Sequence, residues 1–97
     1  MQEKAKKIAE LLKLLANENR LLILCALIKE PMTVGKTAEF VPNITASALS
    51  QHLTLLKTAG ILESDKQAQN VTYFIADDRV TEVIATLKKY YCDEVQI

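Results

Sequence analysis

Four short polar side chains, Ser47, Ser50, Gln51 and Thr54, recur at the three- and four-residue spacing of one α-helical face. They carry hydroxyl and amide groups and no charge. A merely solvated face would normally hold Lys and Glu, so this one suits close contact with a surface rich in hydrogen-bond donors and acceptors. The other chemically capable groups are few: Cys25, Cys92 and a single histidine, His52. Cys25 lies within the apolar run LLILCALI, where a thiol taken singly is usually inert and buried, and Cys92 follows Tyr90-Tyr91. Two glycines cannot build a phosphate-cradling loop, and neither a Ser-His-Asp set nor a Cys25–His52 pair has a supporting context. No enzymatic activity, metal or cofactor is expected.

The elements that must position these groups follow from hydrophobic period and capping. Residues 4–15 place Ile8, Leu11, Leu12 and Leu15 at helical spacing, with Lys6, Lys7, Glu10 and Lys13 on a wet face. Asn17 or Asn19 can cap a second helix whose residues 21–28 are apolar nearly all round, as a central core helix would be. Pro31 stops it, and Thr33 sits where a short helix over residues 34–41 needs a cap, with Pro42-Asn43 closing that helix. Residues 45–59 form the informative helix: Thr45 is its natural cap, Ile44 can staple onto Leu49, and Leu49, Leu53 and Leu56 make the inward stripe. Gly60 ends it as a C′ residue. Ile61-Leu62 and residues 71–75 are β-prone, and the polar stretch 63–70 reads as the protruding tip of a two-stranded hairpin. Asp77 or Asp78 then caps a last helix with Val80, Val83, Ile84, Leu87 and Tyr91 on one side.

Ninety-seven residues suffice for one domain, spanning residues 1–97. The 49% hydrophobic content excludes a disordered chain; the scarcity of aromatics makes the core aliphatic, and leucine in closely spaced clusters makes the fold mainly helical. The longest apolar runs fall far short of the roughly 20 residues that span a bilayer, and MQEKAKKIAE does not read as a signal peptide, so a cytoplasmic protein with reduced thiols and no membrane partner is expected. Twelve basic and twelve acidic residues give formal neutrality, which supplies no global electrostatic signature of a nucleic-acid binder.

A short helix, a turn, a helix with a polar outer stripe and then a β-hairpin is the order of a winged helix-turn-helix, whose second helix enters the DNA major groove. The same order also serves protein adaptors. The residues then become more specific. LLKLLANENRLLILCAL, SALSQHLTLLKTAGIL and VTYFI closely resemble the ArsR/SmtB family of dimeric winged-helix repressors, in consecutive order from about Ala9 to the end. Ser-Gln-His-Leu at 50–53 with Leu-Lys-x-Ala-Gly-Ile at 56–61 carries most of that resemblance.

The resemblance implies a homodimer joined through the first and last helices, binding palindromic double-stranded operator DNA. It implies that Ser47, Ser50, Gln51 and Thr54 face bases or phosphates, with Lys57 beside them and Lys66, Gln67 and Gln69 of the hairpin on the backbone or minor groove. His52 either reaches a phosphate or ties the helix to its neighbours. Asp65 stands where many relatives carry a basic residue, which implies a weaker wing contact and a shallow salt dependence. Metal-sensing members carry a Cys-x-Cys or paired Asp and His, and neither is present; Asp77, Asp78 and Glu82 read as a helix N-terminus. Cys25 and Cys92 together resemble the redox- and persulfide-sensing branch, which implies a disulfide or polysulfide bridge, formed by reactive sulfur or an oxidant as inducer, that lowers DNA affinity. Residues 41–44 form a turn one residue longer than in those relatives.

Overall fold

Asn17, Thr33, Thr45 and Asp77 each turn a side-chain oxygen onto a backbone N–H two or three residues ahead, at 3.0–3.2 Å. Each bond satisfies one of the donors that a helix start leaves without a partner. The computed structural model describes residues 1–91, and among these the order is α1 (Gln2–Leu15), α2 (Glu18–Lys29), β1 (Met32–Thr33), α3 (Val34–Ala38), α4 (Ala46–Thr58), β2 (Leu62–Gln67), β3 (Asn70–Ile75) and α5 (Asp78–Tyr91). Asn17 and Asp77 are thus the caps, in place of Asn19 and Asp78.

The core is aliphatic, as composition requires. Ile23 and Leu24 of α2, Leu49, Leu53 and Leu56 of α4, Ile61, Leu62 and Val80 are fully or almost fully buried, and each such side chain stabilises the fold by about 1.5–3 kcal/mol. Helix α4 ends in a Schellman motif: Gly60 adopts φ 83°, its N–H donates to Lys57 O at 3.0 Å, and Ile61 N–H donates to Leu56 O at 3.0 Å. The sharp reversal sends the chain directly into β2.

Three differences from the sequence reading have local causes. The sheet is three-stranded and antiparallel in the order β1-β3-β2, because the residues after Pro31 extend and pair, Met32 with Tyr73 and Thr33 with Thr72. The hairpin strands reach much further than expected, from Leu62↔Ile75 to Gln67↔Asn70, leaving only Ala68-Gln69 as the turn. Ala68 holds φ 56°, a left-handed conformation that glycine or asparagine usually fills. Helix α3 stops at Ala38, and Glu39, Phe40 and Val41 continue in tighter i→i−3 turns that bury Val41.

The terminal helices bury less than their periodicity suggests. Only Leu15 of α1 is buried, while Ile8 and Leu12 are 57% and 50% exposed; α5 buries Val80 and Ile84 but leaves Leu87 and Tyr91 at 50% and 80%. Arg20 fastens α1 to the core by donating from Nε to Leu14 O at 2.6 Å and from Nη2 to Lys13 O at 3.3 Å, closing the carbonyl end of α1.

Candidate nucleic-acid interface

Helix α4 is fixed at both ends, by the Thr45 cap and by the Gly60 reversal, and along its length by Leu49, Leu53 and Leu56. Its opposite face is therefore held rigidly in solvent. Ser47, Ser50, Gln51 and Thr54 are all exposed there and line one shallow concavity together with Leu55 and Thr58. The last two continue the same period, at eight and eleven residues beyond Ser47, and the sequence reading stopped short of them. A face of hydroxyls and one amide can donate to or accept from base edges without the desolvation cost of a buried charge.

His52 lies on the flank of this helix, half-buried. Burial, and then the nearby positive charge of Arg20, hold its pKa below the ordinary 6.5, so the ring is neutral at pH 7. Lys57 leans away from the helix face, and its ammonium donates to Ser64 Oγ of β2 at 2.6 Å. Lys66 and Gln67 on β2 and Gln69 in the turn stand exposed on the hairpin, apart from the α4 concavity.

Charge around this face is balanced. Residues 32–75 contain Lys36, Lys57 and Lys66 against Glu39, Glu63 and Asp65. Lys36 is 3.5 Å from Glu39 and lies over the Phe40 ring, 5.9 Å from its centroid.

Cys25 sits on α2 within the core, 5% exposed. Cys92 lies outside the described residues. Among the described residues no three His, Cys, Asp or Glu side chains group as metal ligands would, and no helix is long and apolar enough to cross a membrane.

Residues 17–64, which run from the α2 cap through the helix-turn-helix into β2, match the model of the bacterial regulatory protein arsR family. The HTH-type transcriptional regulator YgaV of Escherichia coli is 39% identical over 92 residues, covering 95% of this chain and 93% of that one. The solved structure of HlyU from Vibrio cholerae superimposes with a TM-score of 0.88 at 38% identity, covering 96% of this chain and all of that one, and a second structure of it is described as reduced. The transcriptional repressor BigR from Xylella fastidiosa also gives a TM-score of 0.88, at 26% identity over 97% of this chain and 95% of that one.

Proposed function

The chain belongs to the arsR family of DNA-binding transcriptional regulators with a winged helix-turn-helix fold, and on that footing we propose that it is a repressor, released from its operator by oxidation or persulfidation of Cys25 and Cys92. The observation that carries the DNA-binding half of this reading is the rigid, exposed, uncharged stripe of α4. Ser47, Ser50, Gln51 and Thr54 read base edges or phosphates, with Gln51 suited to a bidentate contact with adenine. Lys57, Lys66, Gln67, Gln69 and His52 flank them, His52 as a neutral donor or acceptor.

The half-exposed apolar side chains of α1 and α5, Ile8, Leu12 and Leu87 among them, support a homodimer in which a second copy covers them. Such a dimer presents two α4 helices to successive major grooves of a palindromic site.

For the sensing half, the support is the apolar placement of Cys25, the Tyr91-Cys92 pair in the sequence, and the likeness to HlyU, one structure of which is of the reduced protein. With an organic persulfide as inducer, the sulfane sulfur passes to one cysteine thiolate and the carrier thiol leaves. The second cysteine then attacks, closing the bridge with loss of hydrosulfide. A bridge from Cys25 on the core helix α2 to Cys92 changes the angle between protomers and moves both α4 helices out of register.

The test is fluorescence anisotropy on DNA from upstream of the protein's own gene, reduced and then treated with a low-molecular-weight persulfide. A loss of more than about 1.4 kcal/mol, a factor of ten, that disappears in Cys25→Ser and in Cys92→Ser is the expected result. A response that persists in both variants eliminates the thiol model, and tight binding that the treatment leaves unchanged in the wild type leaves a repressor that senses a metal or nothing. A folded protein with no preference for any upstream fragment favours a protein-binding adaptor, the reading that the balanced charge of residues 32–75 would suit.

A further inference from the structure

Leu55 projects from α4 onto its outer face, 43% exposed, beside Ser50, Gln51, Thr54 and Thr58. It belongs neither to the core cluster nor to the partly buried side chains packed against it. Isolated exposed leucines are common on protein surfaces, so exposure alone argues nothing. The position is what matters, because Leu55 is the apolar member of a stripe whose other members carry hydroxyl or amide groups able to hydrogen-bond.

Gln51 and Leu55 are four residues apart, hence neighbours on one helix face about 6 Å apart along the axis. Base pairs stack at about 3.4 Å, so two side chains at this spacing address pairs one or two steps apart when the helix lies along the groove. Among the four base pairs, the apolar group on the major-groove edge is the thymine 5-methyl, and an aliphatic side chain is its natural partner.

We infer that Leu55 is a specificity-determining residue that packs on the 5-methyl group of a thymine one or two base pairs from the pair contacted by Gln51. The inference rests on α4 being the base-reading helix, as proposed above. It makes the operator half-site require a thymine at one defined position, and it explains why this stripe holds a leucine where a solvated helix would hold a lysine or glutamate.

Deoxyuridine differs from thymidine by that methyl group alone, which makes the contact directly testable. The reduced full-length protein is titrated by anisotropy against its upstream fragment, trimmed by footprinting, and against duplexes in which each thymine in turn is replaced by deoxyuridine. At one thymine per half-site the replacement weakens wild-type binding roughly fourfold, the effect of removing one methyl from a buried contact. Leu55→Ala loses a similar factor on the unmodified duplex and nothing further on the uridine duplex, while Leu55→Met keeps the uridine penalty. Leu55→Gln, which preserves length and helix propensity, repeats the test should Leu55→Ala fail to fold by circular dichroism.

The inference is overturned if no thymine is sensitive, or if the uridine penalty is the same in Leu55→Ala as in the wild type. Sequence-specific binding with either of those results removes Leu55 alone. Failure of the wild type to prefer any upstream fragment removes the base-reading assignment of α4, and the inference with it.

Discussion

The ammonium of Lys57, in the last turn of α4, donates to the hydroxyl of Ser64 on β2 at 2.6 Å, so helix and hairpin are joined by a side-chain bond as well as by the Gly60 reversal. The bond is exposed and contributes at most about 1 kcal/mol to folding. Its effect is to set where the hairpin stands relative to α4, and to engage one of the few cations that a phosphate could use.

Salt dependence follows from that scarcity. Three lysines per protomer in residues 32–75 allow six phosphate contacts for a dimer, so log K against log[salt] should fall with a slope no steeper than about −5. Anisotropy titrations across a range of KCl concentrations check this. Asp65→Lys should steepen the slope by about 2, one contact for each protomer. A wild-type slope of roughly −8 or steeper would mean that cations outside residues 32–75 reach DNA.

Arg20 closes the carbonyl end of α1 with two donors of one guanidinium. Arg20→Ala should cost about 1–2 kcal/mol in urea unfolding, and Arg20→Lys should recover less than half of it, because an ammonium cannot reproduce the planar fork. Full recovery by lysine would show that charge alone matters at this position.

Two backbone positions have opposite expectations. Gly60 at φ 83° and Ala68 at φ 56° both occupy the left-handed region, one with the residue that suits it and one without. Gly60→Ala should destabilise by about 1 kcal/mol and Ala68→Gly should stabilise by about 0.5 kcal/mol, read from urea midpoints at constant m-value. No change at either position would contradict the assigned conformations.

Acid should weaken the fold through His52. Its folded pKa lies below 6.5, so in the window beneath 6.5 the unfolded chain binds more protons than the folded one. Stability from this group is complete above pH 6.5, declines as the pH falls through 6.5, and declines no further below the folded pKa. Asp77 does not confuse the measurement. Hydrogen bonds from Arg79 hold its carboxyl below the ordinary 3.8, so its contribution fails only in stronger acid. His52→Gln should flatten the loss of urea stability between pH 7.5 and 5.5; an unaltered decline would assign it to other groups.

What could be read from the sequence was what periodicity and caps encode over several turns. Thr45, the Leu49-Leu53-Leu56 stripe and Gly60 together determine α4, and the structure places all of them as their chemistry requires. Strand β1 was not legible because two residues have no period, and Pro31 was already accounted for as a helix stop. The length of the hairpin was hidden by an Ala68-Gln69 turn that lacks glycine, and by polar β2 residues that face water on both sides of the projecting ribbon. A leucine in a leucine-rich helix reads as core, and only its exposure in the fold separates Leu55 from Leu56. Ile8, Leu12, Leu87 and Tyr91 show the reverse: their spacing announces an apolar face, and in the single chain that face stays half-exposed or more.

The strand order β1-β3-β2 leaves the long strand β2 at the margin of the sheet, with backbone groups turned outward that another strand could join. A chain with as many acidic as basic residues has no overall repulsion to keep its copies apart in concentrated solution. Glu63, Asp65 and Lys66 along that margin supply a local substitute, since ionic groups on an outer strand oppose stitching between molecules. Asp65, among them, thereby guards the protein's colloidal stability.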